Sequence, residues 1–245
     1  MLIDHVYKNN GMVFWAHPEV KHEETIPVNI PTLEQNIGIN TQAYPHLISE
    51  TTNHSGFAVF WEGMNVLGKP GGLWDFVLEE YCNGLRSQPV YTIAELDFEE
   101  SNNLKLLNES NTFIFAKDRS RKSIFNAIKT GRMYSTRNFT GETVFLEDFT
   151  AYDIRTEQSA FLGETLELTS KPVALHIKMI NTSETKTITV MLYRNSTKIK
   201  EFILKDSLDT WFTDKNIPDK NFYYKLYAGK KWVTLVTNPI FINQK

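Results

Sequence analysis

The hydropathy pattern of this chain changes near residue 140. Before that point, apolar runs that read as strands alternate with segments of helical spacing, such as 71–85 and 120–131. After it, apolar and polar residues alternate one by one in several short segments separated by turns. Strand–helix alternation is typical of parallel β/α units, and short alternating strands are typical of an antiparallel β-sandwich. We therefore predict an α/β domain over 1–140 and a β-sandwich domain over 141–245.

The strands expected in the first domain are apolar runs at 12–16, 56–63, 89–96 and 111–118. Between the first two runs lies a long segment, 18–55, that contains four prolines. Proline disfavours regular pairing, so this segment reads as a loop with one or two short helices. A loop of this length inside a compact domain is often functional.

Polar side chains follow three of the predicted strands. His17 follows the first strand, the second strand ends on Glu62, and the third ends in an acidic run over 95–100 that includes Asp97 and Glu99. Because the carboxyl ends of parallel strands meet at one edge of a sheet, we expect these groups to converge. Imidazole and carboxylate groups are ordinary ligands of zinc, manganese and iron. The pattern predicts a divalent metal site, but these residue types are also typical of solvated loops, so both interpretations stay open.

Composition excludes several classes of function. The chain has 245 residues and a formal net charge of −3, so no basic excess points to nucleic acid or to an anionic membrane. No apolar run reaches the roughly eighteen residues of a membrane span, and the N-terminus lacks a signal-peptide pattern, which leaves the compartment open. The single cysteine, Cys82, cannot form an internal disulfide. No GxSxG motif, phosphate loop or CxxC pair indicates a different chemistry.

Three motifs, taken in order, resemble those of the PHP (polymerase and histidinol phosphatase) family of metal-dependent hydrolases. The stretch "GMVFWAHPE" is similar to the family's strand that ends in Ala-His-Pro, "PVYTIAELDFEE" to a late strand before a metal motif, and "SIFNAIKTGRMYST" to the helix that follows. The resemblance implies an α/β fold with the later strands of a PHP-like β/α barrel, followed by an all-β immunoglobulin-like sandwich. It also implies a phosphoesterase that acts on a small phosphorylated or ester substrate.

The resemblance assigns metal ligands and one substrate contact. His17, Asp97 and Glu99 would ligate a divalent zinc, manganese or iron ion, with side-chain ends within roughly 8 Å of one another. Arg132 would contact an anionic substrate, although an ion pair with a neighbouring carboxylate is an equally good interpretation. The family's Asp-x-His motif reads here as Asp97-Phe98-Glu99, so an anionic oxygen replaces a neutral nitrogen ligand.

The family's opening His-x-His motif is absent from the chain. The resemblance therefore implies the C-terminal portion of a longer barrel protein, with an incomplete site, weak metal binding and little hydrolase activity. An incomplete barrel would expose strand edges, which favours homo-oligomers.

The alternative is a non-catalytic relative that binds a partner or a carbohydrate through the sandwich. Its candidate residues are aromatic, and packing in the sandwich core is the simpler interpretation of all of them: Trp211, Tyr223, Tyr224, Tyr227 and Trp232.

Overall fold

The computed structural model describes residues 2–30, 33–60, 62–96, 107–138, 143–169, 171–183 and 187–244. Within these ranges the helices are α1 (Leu2–Lys8), α2 (Leu47–Glu50), α3 (Leu73–Cys82) and α4 (Arg121–Lys129). The strands are β1 (Phe14–Trp15), β2 (His22–Ile30), β3 (Leu33–Thr41), β4 (Gly56–Ala58), β5 (Tyr91–Ile93), β6 (Ser110–Ile114), β7 (Met133–Arg137), β8 (Val144–Asp153), β9 (Ser159–Phe161), β10 (Thr165–Leu168), β11 (Val173–Asn181), β12 (Ile188–Arg194), β13 (Thr197–Leu204), β14 (Ser207–Asp214), β15 (Phe222–Gly229), β16 (Val233–Thr237) and β17 (Ile240–Gln244). None of the described helices is both long and apolar enough to cross a membrane.

The strands β1, β4 and β5 form a small parallel sheet with β4 in the middle. The helix α3 connects β4 to β5 and buries Trp74, Val77 and Leu78 in the same core as Phe57. The indole N–H of Trp74 donates to the carbonyl oxygen of Val90 at 2.8 Å, which holds the helix next to β5. The unit β4–α3–β5 is therefore a parallel crossover, as the strand–helix pattern predicts.

The later strands build a β-sandwich, and this prediction is confirmed. One sheet has the order β14-β11-β8-β9, and a larger sheet runs β10-β17-β15-β16-β7-β6 with β12 between β15 and β13. Strand β11 shows the expected alternation, because Val173, Leu175, Ile177 and Met179 are fully buried while the residues between them, apart from Ala174, are less so. The inward faces of the two sheets share one apolar core.

Strand β15 separates two cores. All eight of its residues are buried because both of its faces are covered. Phe222, Tyr224 and Leu226 belong to the core between the two sheets, whereas Tyr223 and Tyr227 belong to the core under α3. The larger sheet is therefore a middle layer, with the four-stranded sheet on one face and the α3 unit on the other.

The expected β/α barrel is not formed by the described residues. Side chains occupy the edge of β5 that a further parallel strand would need. Asn238 accepts the Thr92 N–H at 2.7 Å and donates to the Thr92 carbonyl at 3.2 Å. Thr112 Oγ1 accepts the Ala94 N–H at 2.8 Å. The predicted α/β class with later barrel strands is wrong, since the regular structure of the described residues is mostly β-strand and the parallel sheet has three strands. Strand–helix alternation does not specify which partner the next strand will pair with.

The strands β6 and β7 show where the chain goes instead. They pair with each other antiparallel, although α4 lies between them in the sequence, and β7 pairs antiparallel with β16. Both strands precede the predicted domain boundary and yet belong to the larger sheet. The two predicted domains thus share a sheet, and the boundary at 140/141 stays a prediction.

The segment 18–55, expected to be a loop with one or two short helices, contains a β-hairpin and one short helix. Strands β2 and β3 pair antiparallel from His22↔Thr41 to Ile30↔Leu33, and α2 supplies one short helix. Pro27 lies within β2. Both strands of a two-stranded hairpin are edge strands, where the missing N–H of proline is tolerated. The prolines therefore did not prevent pairing here.

Candidate functional site

Three ionisable side chains follow the three strands of the parallel sheet. His17 lies two residues after β1, Glu62 four residues after β4, and Glu95 two residues after β5. The Nδ1 atom of His17 lies 3.4 Å from Oε2 of Glu62 and 3.3 Å from Oε1 of Glu95. We call these three side chains the His17 cluster. They lie at the carboxyl edge of the sheet, where α/β proteins bind ligands.

Two members of the cluster have a left-handed backbone. The φ angle is 47° at His17 and 65° at Glu62. Residues with a Cβ atom rarely adopt this conformation, so the surrounding structure must hold it in place. Such residues are enriched at functional sites. Here the Glu95 carboxylate accepts the backbone N–H of His17 at 3.3 Å, and the Glu62 carbonyl accepts the N–H of Glu19 at 3.0 Å. The His17 turn is thus bonded to Glu95 after β5, and the Glu62 turn is bonded to Glu19, two residues after His17.

Tyr44 lies next to the cluster. Its hydroxyl donates to the carbonyl oxygen of Ala16, and its backbone N–H donates to the carbonyl of Pro18 at 2.9 Å. Burial, and then the negative charges of Glu95 and Glu62, raise the pKa of the Tyr44 hydroxyl. The phenol therefore stays protonated at neutral pH and is a hydrogen-bond donor beside two carboxylates.

Glu19 has a structural role in the same region. Its carboxylate accepts the backbone N–H groups of residues 65–67 at 2.7–2.8 Å. Three charge-assisted hydrogen bonds to one loop fix that loop relative to the turn that carries His17. The loop after Glu62 is therefore held in place from the His17 side.

A cleft of about 540 Å³ opens beside the cluster and includes Glu62 in its wall. Arg137, the last residue of β7, also lines it, and its Nη1 donates to the carbonyl oxygen of Phe60 at 3.1 Å. Trp232, which precedes β16 of the same larger sheet, also lines the cleft and is 62% exposed. The full lining is Glu19, Val20, Phe60, Glu62, Met64, Asn65, Val66, Arg137, Trp232, Val233 and Thr234.

The other predicted metal ligands, Asp97 and Glu99, lie outside the described residues, so their convergence with His17 stays a prediction. Glu95, from the same acidic run, does reach His17. Within the described parts of the chain, no group of three or more His, Cys, Asp or Glu side chains is already arranged to hold a metal ion. The His17 cluster is therefore at most a partial coordination site.

Arg132 is engaged elsewhere. Its Nη1 pairs with the carboxylate of Glu164, and its guanidinium lies 5.2 Å from the centre of the Phe161 ring. Arg132 does not line the cleft beside Glu62. The contact present is the ion pair that the sequence offered as the second interpretation of this arginine.

The aromatic candidates divide into two groups. Tyr223, Tyr224 and Tyr227 are fully buried and pack in the cores on either side of β15, as the simpler interpretation predicts. Trp211 is 59% exposed on the four-stranded sheet, where its ring stacks on that of His176 with 4.7 Å between centroids. Trp232 is the one of the five that lines the cleft.

Sequence reasoning missed Arg137 and Tyr44. Arg137 follows the same rule as His17, because it is the polar residue on which a strand ends. A strand over 133–137 predicts it, whereas the family resemblance places this stretch at the end of a helix motif. Tyr44 carries no such signal, since it reaches the cluster from a distant turn.

Comparisons with known proteins identify no family. No family model matches the chain, and no curated protein matches it. Among solved structures, a match is the CARDB domain of a Pyrococcus furiosus protein in complex with di-metal ions, at 10% identity and a TM-score of 0.31 over 44% of this chain and 91% of that one. The expected PHP membership is wrong, because its short motifs recur here without a matching family model, and the strands that the structure describes form no barrel.

Proposed function

We propose that this chain is a metal-dependent hydrolase of small anionic esters, with His17, Glu62 and Glu95 as ligands to a divalent cation. The observation that supports this most strongly is the convergence of one imidazole and two carboxylates at the carboxyl edge of a parallel sheet. Each comes from a different strand end, and two of the three sit on strained backbone. Strained backbone costs free energy and persists only where other contacts hold it. Because such residues cluster at functional sites, the two strained turns favour a functional role for the cluster.

The donor atoms suit a divalent ion. Metal–nitrogen and metal–oxygen bonds of about 2.0–2.2 Å place neighbouring ligand atoms about 3.0–3.4 Å apart. The separations of 3.4 and 3.3 Å from His17 Nδ1 to the two carboxylate oxygens lie at the upper end of that range. The three side chains do not form a ready-made metal site, so they would have to rearrange around the ion. Because the cluster offers only one imidazole and two carboxylates, we expect weak binding, with water in the remaining coordination positions.

The geometry also suits hydrolysis. A bound divalent cation would supply an activated water and stabilise negative charge on the substrate. Glu62 lies both in the cluster and in the wall of the cleft, so it connects the cation site to the space where a substrate would lie. Tyr44 donates a hydrogen bond next to the carboxylates and helps to keep the His17 turn in place.

Calorimetric titration with manganese or zinc tests the cation site, and hydrolysis of p-nitrophenyl phosphate with the same metals tests the activity. We expect weak metal binding and slow, metal-dependent turnover, both lost in His17→Ala. His46→Ala, at an exposed histidine before α2, is the matched control and should behave like the wild type. Metal binding that is unchanged in His17→Ala, or absent from the wild type, would contradict the proposal.

A further inference from the structure

The cleft beside Glu62 is mostly apolar. Six of its lining side chains are Val20, Phe60, Met64, Val66, Trp232 and Val233. Its volume of about 540 Å³ is within the range of pockets that bind small organic molecules. Such pockets combine apolar walls with a few polar groups that orient the ligand. A single small inorganic anion would leave most of these walls without contact.

The charged groups of the cleft have distinct roles. The Glu19 carboxylate is used by the three backbone N–H groups of residues 65–67, and Glu62 belongs to the His17 cluster. Arg137 is the cation of the lining. Its guanidinium donates to the carbonyl oxygen of Phe60, and Phe60 precedes Glu62 by two residues in the sequence.

Arg137 keeps its charge in this setting. Burial lowers the pKa of its guanidinium, and the nearby Glu109 carboxylate opposes that change. Arginine remains protonated in proteins, and its planar group of N–H donors matches carboxylate and phosphate oxygens. Two exposed lysines, Lys230 and Lys231, precede Trp232 and add positive charge near the same wall. Arg137 and these lysines thus supply the positive charge that would hold an oxyanion in a cleft whose lining also contains the Glu19 and Glu62 carboxylates.

We infer that the cleft binds a small ligand in which an oxyanion is attached to an aromatic or apolar group, with Arg137 contacting the oxyanion and Trp232 the apolar group. This inference rests on the proposed function in one respect, since it names the substrate class of the same site. Phosphate monoesters and carboxylates share the required chemistry. The ligand would lie with its charged end at Arg137 and its apolar end between Trp232 and Phe60.

Tryptophan fluorescence titrations in metal-free buffer with EDTA test the inference. The probes are phenyl phosphate, phenylacetate, inorganic phosphate and phenol. We expect phenyl phosphate or phenylacetate to bind at least about tenfold more tightly than phosphate or phenol alone, because each of the latter makes only half of the contacts. Tighter binding of the phosphate ester or of the carboxylate tells the two sources of oxyanion apart, and either upholds the inference.

Variants identify the two contacts. Arg137→Gln should weaken binding about 10- to 100-fold, since it removes charge-assisted hydrogen bonds, and Arg137→Lys should keep part of the affinity. Trp232→Leu should weaken binding about 3- to 10-fold.

Arg119→Gln and Trp211→Ala, at exposed residues away from the cleft, are the matched controls. Thermal unfolding of each variant checks that it folds. Equal affinities in Arg137→Gln and Arg119→Gln, in folded proteins, would overturn the inference.

The two proposals fail separately. Binding that depends on Arg137 and Trp232, without any metal-dependent turnover, would uphold the inference and reject the hydrolase. Turnover that depends on His17, without any effect of Arg137→Gln on the affinity for phenyl phosphate and phenylacetate, would uphold the hydrolase and reject the inference.

Discussion

At the residue scale, His54 is buried against the end of α2. Its Nδ1 lies 3.3 Å from Thr51 Oγ1, and the Arg86 guanidinium donates to the carbonyl oxygens of residues 48, 49 and 51 at 2.8–3.2 Å. Burial, and then the positive charge of Arg86, lower the pKa of His54 from 6.5 to about 4. The folded chain therefore keeps this imidazole neutral at pH values where the unfolded chain protonates it.

This shift predicts a loss of stability in acid. Between pH 6.5 and 4 the unfolded state binds a proton at His54 that the folded state does not bind, so the stability contributed by the neutral imidazole is present above pH 6.5 and declines as the pH falls. We expect the free energy of unfolding to fall by about 3 kcal/mol across this window on account of His54. Urea unfolding of the wild type and of His54→Gln over the same pH range measures the difference.

The exposed His46 supplies the control for this measurement. His46→Gln should keep the pH dependence of the wild type, and His54→Gln should show a shallower one. Identical slopes in His54→Gln and the wild type would show that His54 titrates normally in the folded chain.

At the scale of elements, the side chain of Asn238 acts as a substitute for a strand. It bonds to both backbone groups of Thr92 in β5 and also donates to the carbonyl oxygen of Met133 at 3.2 Å. These groups are fully buried. Because backbone groups that lose their partners in a core are costly, Asn238 joins the parallel sheet to the larger one.

We expect Asn238→Ala to destabilise the chain by at least about 2 kcal/mol, since it leaves the Thr92 backbone groups and the Met133 carbonyl without this partner. Urea unfolding measures the change. Asn243→Ala is the matched control, because the side-chain amide of Asn243 donates to the half-buried carboxylate of Glu167, at 3.0 Å. A loss no larger in Asn238→Ala than in Asn243→Ala would contradict the role of Asn238.

At the scale of the whole molecule, one buried ion pair connects α3 to the middle layer. The Nζ atom of Lys225 in β15 lies 2.5 Å from Oδ1 of Asp75 in α3 and 3.9 Å from the centre of the Trp74 ring. The Tyr223 hydroxyl donates to the same carboxylate oxygen at 2.6 Å. Burial lowers the pKa of the Lys225 ammonium, and Asp75 opposes this, so each charge depends on the other.

We expect Lys225→Met to cost about 3–5 kcal/mol, because it leaves the Asp75 carboxylate buried without its counter-ion. The double variant Asp75→Asn/Lys225→Met should be more stable than the sum of the two single changes implies, since neither charge then remains. Urea unfolding of the four proteins gives the coupling. Lys178→Met, which breaks an exposed pair with Glu147, should have a much smaller effect. Strict additivity would contradict a coupled pair.

Much of the local structure followed from the sequence. Ser120 and Gly131 stand at the two ends of the segment 120–131 that has helical spacing. In the structure the Ser120 hydroxyl accepts the Ser123 N–H at 3.2 Å before α4, and Gly131 has a φ of +70°. The alternation of β11 likewise appears as expected. His17, Glu62 and the acidic run that contains Glu95 are the strand-end groups of the candidate site that the sequence located. These features depend on residues within a few positions of each other, so the order of residue types is sufficient to predict them.

The sequence alone thus determined where most strands and helices lie and which strand ends carry charge, whereas only the tertiary structure decided how they pair. The closing of the β5 edge by Asn238 joins residues 146 positions apart. The presence of Glu62, Arg137 and Trp232 in one cleft depends on the larger sheet packing against the α3 unit. Pairing over such distances is set by packing and hydrogen bonding between remote segments, which no local periodicity encodes.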